Sequence, residues 1–214
     1  MSSRDKEKRF AAVTAFPNVL EFPEDIKGKW NSDQFDDNQP ITLELACGKG
    51  EYTVEMARRF PKQNFIGSDI KAERIYIGAK TAIAEKLNNV AFLRTKIEQL
   101  DLYFIENEVA EIWITFPDPY PKKKHAKRRL TSPYFLDMYK KILQPGGLVH
   151  LKTDADDLHN YSLETVTAAG ANVKEAVMDI YNKPLTNPLL EIKTNFENKH
   201  LADNRTINYL CFQF

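Results

Sequence analysis

The chain has 214 residues, of which 43% are apolar and 28% charged, so it is large enough for one substantial core and short for two ordinary domains. Thirty basic residues balance thirty acidic ones, which excludes a protein that attracts nucleic acid through its overall charge and leaves that task to a local patch. No apolar run reaches the roughly 18 residues of a membrane span, and the polar start lacks the apolar segment of a signal peptide. We therefore expect a cytoplasmic protein.

Cysteine and histidine are sparse. Cys47 and Cys211 lie in apolar, strand-like runs, which predicts two buried thiols in a reducing compartment and no disulfide framework. The four histidines lack the spacing of a zinc site, so no metal centre is predicted; they are His125, His150, His159 and His200.

The first 39 residues differ in composition from the rest. They mix charges with Pro17, Pro23 and Gly28, which predicts a partly flexible N-terminal extension at 1–39. The packed domain is then expected at 40–214.

From residue 40 onward, apolar runs alternate with amphipathic stretches. The pattern predicts strands at 41–47, 64–70, 90–95, 110–116 and 147–153, with closing strands near Val177 and Ile207. It predicts helices at 51–60, at 71–87, after Pro133 and through Ala169. This alternation is typical of an α/β domain, here with a mostly parallel, seven-stranded sheet and helices on both faces.

A loop with two glycines follows the strand predicted at 41–47. Glycine lets the backbone approach a cofactor between a strand and a helix, as in the segment Glu44–Gly50. Asp69 ends the next strand, where a carboxylate can accept hydrogen bonds from both ribose hydroxyls of a nucleoside. The dinucleotide spacing G-x-G-x-x-G is absent, and Glu44 supplies negative charge that suits the cationic groups of S-adenosylmethionine. The alternative for Glu44 is a strand carboxylate satisfied by nearby backbone amides.

A proline-enclosed aspartate and a run of cations follow the strand predicted at 110–116. Pro117 and Pro119 restrict the backbone around Asp118, which predicts a rigid, extended presentation of its carboxylate. Residues 122–129, which we call the cationic strip, predict a site for a polyanion, with a solvated surface run as the alternative. The cations are Lys122, Lys123, Lys124, Lys127, Arg128 and Arg129.

Four separated motifs occur in order: Glu44–Gly50, Pro117-Asp-Pro119 with the cationic strip, Lys152-Thr-Asp154, and Thr194-Asn-Phe-Glu197. Together they resemble the bacterial tRNA (guanine-N7-)-methyltransferase family from about Pro40 to the C-terminus. The resemblance implies a Rossmann-like class I methyltransferase fold and transfer of a methyl group from S-adenosylmethionine to nitrogen 7 of a guanine in the tRNA variable region. Whether the enzyme is a monomer or a homodimer stays open.

The resemblance also implies roles for individual residues. Those expected at the cofactor are Glu44, Gly48, Gly50, Asp69, Lys96 and Asp118, with Asp118 also catalytic. Those expected to contact tRNA are Lys122, Asp154, Thr194, Asn195, Phe196 and Glu197. Two positions depart from the family pattern: Ala46 replaces a usual glycine, and Lys96 replaces a usual acidic or amide residue near the adenine.

The proposed chemistry requires alignment more than proton transfer. Nitrogen 7 of guanine carries a lone pair and no proton, while positive charge moves from the sulfonium to the purine as the methyl group is transferred. We expect Asp118, with Asp154 or Glu197, to stabilise that developing charge. The structural alternatives are a helix N-cap for Asp154 and a surface turn for Glu197.

Aromatic residues near the motifs have two interpretations. Tyr120 and Phe196 could stack on an exposed base or belong to the core.

Three other functions stay open. A methyltransferase acting on an exocyclic amine is suggested by Asp118-Pro-Tyr-Pro121, although the tyrosine stands between the prolines. A non-catalytic RNA-binding protein on the same fold is the alternative from another class, with Ala46 and Lys96 as its only hints. A nicotinamide oxidoreductase is disfavoured by the missing dinucleotide spacing.

Overall fold

The computed structural model describes residues 3–185 and 187–214. Its strands are β1 (Val19–Glu21), β2 (Ile41–Leu45), β3 (Asn64–Asp69), β4 (Val90–Arg94), β5 (Val109–Thr115), β6 (Leu143–Thr153), β7 (Asn172–Val177) and β8 (Asn208–Gln213). Its α-helices are α1 (Ser3–Val13), α2 (Glu51–Arg59), α3 (Ala72–Ala84), α4 (Pro133–Ile142), α5 (Asp156–Ala168) and α6 (Asn195–Ala202). None of the helices in the described residues has the length and apolar character needed to cross a bilayer.

The strands form one sheet in the order β1-β4-β3-β2-β5-β6-β8-β7. Pairs from β1 through β6 are parallel, and β8 is antiparallel to both β6 and β7. Every residue of β2 and β3 is buried, as expected for central parallel strands that helices cover on both faces. The predicted α/β architecture is confirmed.

The predicted count of seven strands is wrong, because β1 adds an eighth. Val19, Leu20 and Glu21 pair in parallel with the outer strand β4. Three residues enclosed by proline-containing turns are too short to display an alternating pattern, so the sequence did not reveal this strand.

Residues before Pro40 also contribute to the packing. Trp30 is fully buried, and its indole donates to the Tyr103 carbonyl at 2.9 Å. The Arg94 guanidinium pairs with Glu21 and lies 4.5 Å from the Phe10 ring centroid and 5.2 Å from that of Phe22.

Two apolar clusters fill the two faces of the sheet. One includes Leu136 and Tyr139 of α4, and the other includes Tyr52 and Met56 of α2. The prediction that both cysteines are buried thiols is confirmed, since both are free and less than 8% exposed.

The chain order reverses between β2 and β5. From β2 the chain builds outward through β3 and β4, then returns to place β5 on the other side of β2. Ligands of open α/β sheets bind outside the carboxyl ends of the strands at such a reversal. The motifs predicted from sequence fall at this edge.

Candidate active site

The loop between β2 and α2 contains three residues with left-handed backbone conformation. Ala46, Gly48 and Gly50 have φ angles of 55°, 57° and 68°. A side chain at Gly50 would place Cβ 2.5 Å from the Phe92 ring, so glycine is required there. Ala46 adopts this conformation at a cost of roughly 1–2 kcal/mol. A glycine, which the resemblance leads us to expect at this position, would adopt the conformation without that cost.

Glu44 lies beneath this loop and is 1% exposed. One carboxylate oxygen accepts from the backbone amide of Thr53 at 2.9 Å and from the Thr53 hydroxyl, and the other accepts from the Thr115 hydroxyl at 2.5 Å. Burial raises the pKa of Glu44 to about 7 against the opposing effect of these bonds, and Asp69 adds a smaller rise. Glu44 is therefore poised to respond to a nearby cation. The alternative in which backbone amides satisfy Glu44 accounts for only one of its three hydrogen bonds, since the other two come from hydroxyl groups.

Asp69 at the end of β3 is held by the backbone. Its Oδ2 accepts from the Gly48 amide at 3.0 Å, and its Oδ1 accepts from the Lys71 amide at 2.9 Å. Each carboxylate oxygen has a second acceptor position, so the side chain can still take two hydroxyl donors.

Two neighbouring clefts open along this edge. The larger, of about 570 Å³, is lined by Asp69, Thr95, Lys96, Asp118 and Phe135, among others. The smaller, of about 350 Å³, is lined by Glu44, Gly48, Thr115 and the start of α6. Both are lined by Ala46, Arg74 and Phe116, so these residues mark the border between the clefts.

Asp118 is exposed at the larger cleft, in the segment that follows β5. The residues that flank Pro117-Asp-Pro119 are left-handed, with φ angles of 49° at Phe116 and 42° at Tyr120. The chain therefore turns sharply before and after Asp118, a feature that the prolines alone did not predict.

The cationic strip forms a 3₁₀ turn at Lys123–Arg128. Five of its cations are exposed, whereas Arg129 is only 8% exposed. The expectation that Arg129 reaches phosphate is wrong, because its guanidinium is directed into the protein and donates to the carbonyls of Pro119 and Tyr120.

Glu197 lies in the first turn of α6 and is completely buried. Its carboxylate pairs with Lys152 at 2.8 Å and accepts from the Tyr181 hydroxyl at 2.6 Å. Neither the surface-turn alternative nor a direct contact with tRNA fits this arrangement. The Lys152 ammonium also donates to the carbonyls of Leu190 and Ile192, so this pair joins β6 to the chain before α6.

The other residues of the Thr194–Glu197 motif line the smaller cleft. The Thr194 hydroxyl accepts from the Glu197 amide and caps α6, while Asn195 donates to Glu51 at the start of α2. Phe196 is 46% exposed and packs 5.2 Å from Phe116 between ring centroids.

Asp154 does not cap α5, so that alternative is wrong: the N-cap is Ala155, without a side-chain bond. The Asp154 carboxylate lies 3.0 Å from His200 and 3.3 Å from Arg205. His200 in turn packs 4.0 Å from Phe196. Asp154 is therefore linked to the motif at the start of α6.

Sequence reasoning assigned no site role to several residues found here. Thr53 and Thr115 fix Glu44, Lys152 fixes Glu197, and Arg74 borders both clefts. The presence of Lys152 in a motif was the one available signal, since the threonines have no distinctive spacing.

Comparisons with known proteins show what this chain is similar to. A family model described as "Putative methyltransferase" matches residues 38–210. The tRNA (guanine-N(7)-)-methyltransferase of Christiangramia forsetii is 45% identical and matches 100% of this chain and 99% of its own length. Its namesake from Porphyromonas gingivalis is 46% identical over 94% of this chain and 86% of its own length.

A solved structure extends the comparison to the fold. The 16S rRNA methyltransferase KamB has a TM-score of 0.66 at 14% identity and covers 86% of this chain and 91% of its own. This similarity confirms the Rossmann-like methyltransferase fold. With two relatives above 40% identity over nearly its whole length, the chain belongs to the tRNA (guanine-N(7)-)-methyltransferase family.

Proposed function

We propose that this protein transfers the methyl group of S-adenosylmethionine to nitrogen 7 of a guanine in the variable region of tRNA. The observation that carries the proposal is one edge of the sheet where a cleft of about 570 Å³ joins Asp69 to Asp118, beside five exposed cations.

The cofactor has a chemically suitable set of partners here. Asp69 keeps acceptor positions for two ribose hydroxyls, and the cleft beside Lys96 and Ile97 suits the adenine. Glu44 borders the adjoining cleft, where its ionised form would attract the ammonium and sulfonium groups. When bound, S-adenosylmethionine supplies an electrophilic methyl group on sulfur.

Asp118 is the proposed catalytic residue. The guanine nucleophile needs no base, because its nitrogen 7 has a free lone pair. An exposed carboxylate at the border of the cleft can accept hydrogens from the guanine edge and stabilise positive charge as it appears on the purine. The second carboxylate of this proposal is Asp154, which directly follows β6 at the same edge; its side chain is 17% exposed and pairs with His200.

The RNA is held by charge and stacking in this proposal. Lys122, Lys123, Lys124, Lys127 and Arg128 would contact phosphates around the target nucleotide. Phe196, backed by Phe116 and His200, offers an exposed ring on which a base can stack. Thr194 and Asn195 lie at the same helix start and complete the surface.

The test is incubation with methyl-labelled S-adenosylmethionine and an unmodified tRNA transcript, followed by reduction and aniline cleavage. Cleavage at one guanine of the variable region supports the proposal, because only a ring-methylated, cationic guanine makes the chain cleavable. Label without cleavage would move the assignment to an exocyclic amine or a ribose. No label, with tRNA still bound, would favour a non-catalytic RNA-binding protein.

A further inference from the structure

The segment that carries Asp118 is held in a conformation that its own residues disfavour. Phe116 and Tyr120, both bulky, have φ angles of 49° and 42° on either side of Pro117-Asp-Pro119. Such conformations cost on the order of 1–3 kcal/mol each and persist only where surrounding contacts enforce them. On the Phe116 side, the enforcing contact is a hydrogen bond at the edge of the sheet, in which the Phe116 amide donates to the Lys152 carbonyl at 2.8 Å.

On the other side, the enforcing group is Arg129. Its Nε donates to the Pro119 carbonyl at 3.2 Å, and its Nη2 donates to the Tyr120 carbonyl at 3.0 Å. These two carbonyls directly follow Asp118 in the chain. The planar, forked guanidinium suits this two-point contact, which an ammonium group cannot reproduce.

Arg129 is itself fixed by an aromatic ring. Its guanidinium carbon lies 4.2 Å from the ring centroid of Tyr161, on α5. Within the described residues no carboxylate lies at ion-pair distance from Arg129, although the side chain is only 8% exposed. Arg129 is thus a buried cation stabilised by carbonyls and an aromatic ring, at the end of a strip of exposed cations. It binds the protein's own backbone and is not available to bind phosphates.

We propose that Arg129, stacked on Tyr161, is a positioning residue that locks the Pro119–Tyr120 backbone and so holds the Asp118 carboxylate in its reactive place. The expected effect on the reaction rate rests on the proposed function. The structural part of the inference, the rigidity of residues 116–120, stands independently. Misplacing a reacting group by about 1 Å can cost on the order of hundredfold in rate.

The kinetic experiment uses two single variants of the full chain. Arg129→Lys keeps the positive charge and loses the forked guanidinium, and Tyr161→Leu removes the ring on which the guanidinium stacks. We expect kcat to fall roughly 10- to 100-fold while KM for tRNA changes less than about twofold. The matched control is Arg58→Lys, whose guanidinium pairs with Glu55 and Glu85 and lines neither of the two clefts. It should keep the kcat of the unaltered protein.

A second comparison removes Asp118 first. In an Asp118→Asn background, Arg129→Lys should lower kcat by less than about threefold, because the group that it positions is already neutral. Equal losses in both backgrounds would overturn the inference, as would a retained kcat. A raised KM for tRNA with normal kcat would also overturn it and return Arg129 to the phosphate contacts.

Hydrogen exchange separates this inference from the proposed function. The amide of Phe116, which donates to the Lys152 carbonyl, should exchange at least tenfold faster in Arg129→Lys than in Arg58→Lys, whether or not the protein methylates tRNA. Unchanged exchange would overturn the inference. Failure of the unaltered protein to methylate would count against the proposed function alone.

Discussion

The two halves of the sheet edge are built differently. On the β2–β3 side, the carboxylates of Glu44 and Asp69 are buried and fixed by hydrogen bonds from nearby backbone and hydroxyl groups. On the β5–β6 side, Asp118 and five cations of the cationic strip are exposed. The backbone after Asp118 is held by the buried Arg129 at the end of the strip, and the Lys152–Glu197 pair joins β6 to the chain before α6.

The difference indicates a division of labour. A small cofactor benefits from a site prepared in advance, since preorganised groups lose little freedom when it binds. A large RNA needs accessible charge, which only rigid support can place accurately. We call the β2–β3 side the proposed cofactor half and the β5–β6 side the proposed RNA half. Substitutions in the RNA half should therefore leave cofactor affinity unchanged, and substitutions in the cofactor half should leave tRNA affinity unchanged.

The largest expected effect concerns the support of the RNA half. Glu197→Ala leaves the buried Lys152 ammonium without its carboxylate, so we expect a loss of about 3–5 kcal/mol in the free energy of unfolding, measured with urea. The double variant Lys152→Met with Glu197→Leu should recover much of that loss. If the single variant lost less than about 1 kcal/mol, the pair would not be the support described here.

Asp118→Asn removes the proposed charge stabiliser without changing size. We expect kcat to fall on the order of hundredfold, with the dissociation constant of tRNA nearly unchanged. Single-turnover methylation and a filter-binding assay measure the two quantities. Near-normal turnover would remove Asp118 from catalysis.

The cofactor half should respond to pH through Glu44, whose pKa is about 7. A cationic cofactor favours the ionised carboxylate, so affinity should fall up to tenfold for each pH unit below 7. Calorimetric titrations between pH 6 and 8 measure this trend. Glu44→Gln should abolish it, and an equal slope in both proteins would assign the proton to another group.

The same carboxyl group has the opposite effect on stability without cofactor. Its pKa lies above the ordinary value of 4.5, so its contribution to folding is present below about pH 4.5 and is lost as pH rises through 7. The free energy of unfolding in urea should therefore fall in the unaltered protein, relative to Glu44→Gln, as the pH rises from about 4.5 through 7.

Salt should affect only the RNA half. With five exposed cations in the strip, we expect a log-log slope of about −2 to −4 for tRNA affinity, reduced by about 1 in Lys127→Ala. Affinity for S-adenosylmethionine should stay nearly constant over the same salt range. A salt-independent affinity for tRNA would remove the strip from the interface.

The smallest expected effect is in the glycine loop. Ala46→Gly relieves a left-handed alanine with φ of 55° but adds freedom to the unfolded chain. The net gain in unfolding free energy should be about 0.5–1 kcal/mol. Thermal unfolding measures it, and a loss of stability would show that Ala46 is not strained.

The sequence predicted best what local pattern determines. Alternating apolar runs located the seven longer strands within a few residues, and the glycine loop and Asp69 meet at one edge of the sheet, as their positions after two strands predicted. The short strand β1 was not predicted, because three residues are too few to show an alternating apolar pattern. Arg129 and Glu197 were misjudged because burial depends on Tyr161 and Lys152, residues distant in sequence that only the fold brings near.

The most direct test of the division of labour is one set of equilibrium titrations, with S-adenosylhomocysteine and tRNA as ligands, on the unaltered protein, Glu44→Ala and Lys123→Ala with Lys127→Ala. The account predicts a crossover: Glu44→Ala weakens the nucleoside ligand and keeps tRNA, whereas the double variant weakens tRNA and keeps the nucleoside ligand. Loss of both ligands in both variants, with the fold intact by circular dichroism, would contradict it.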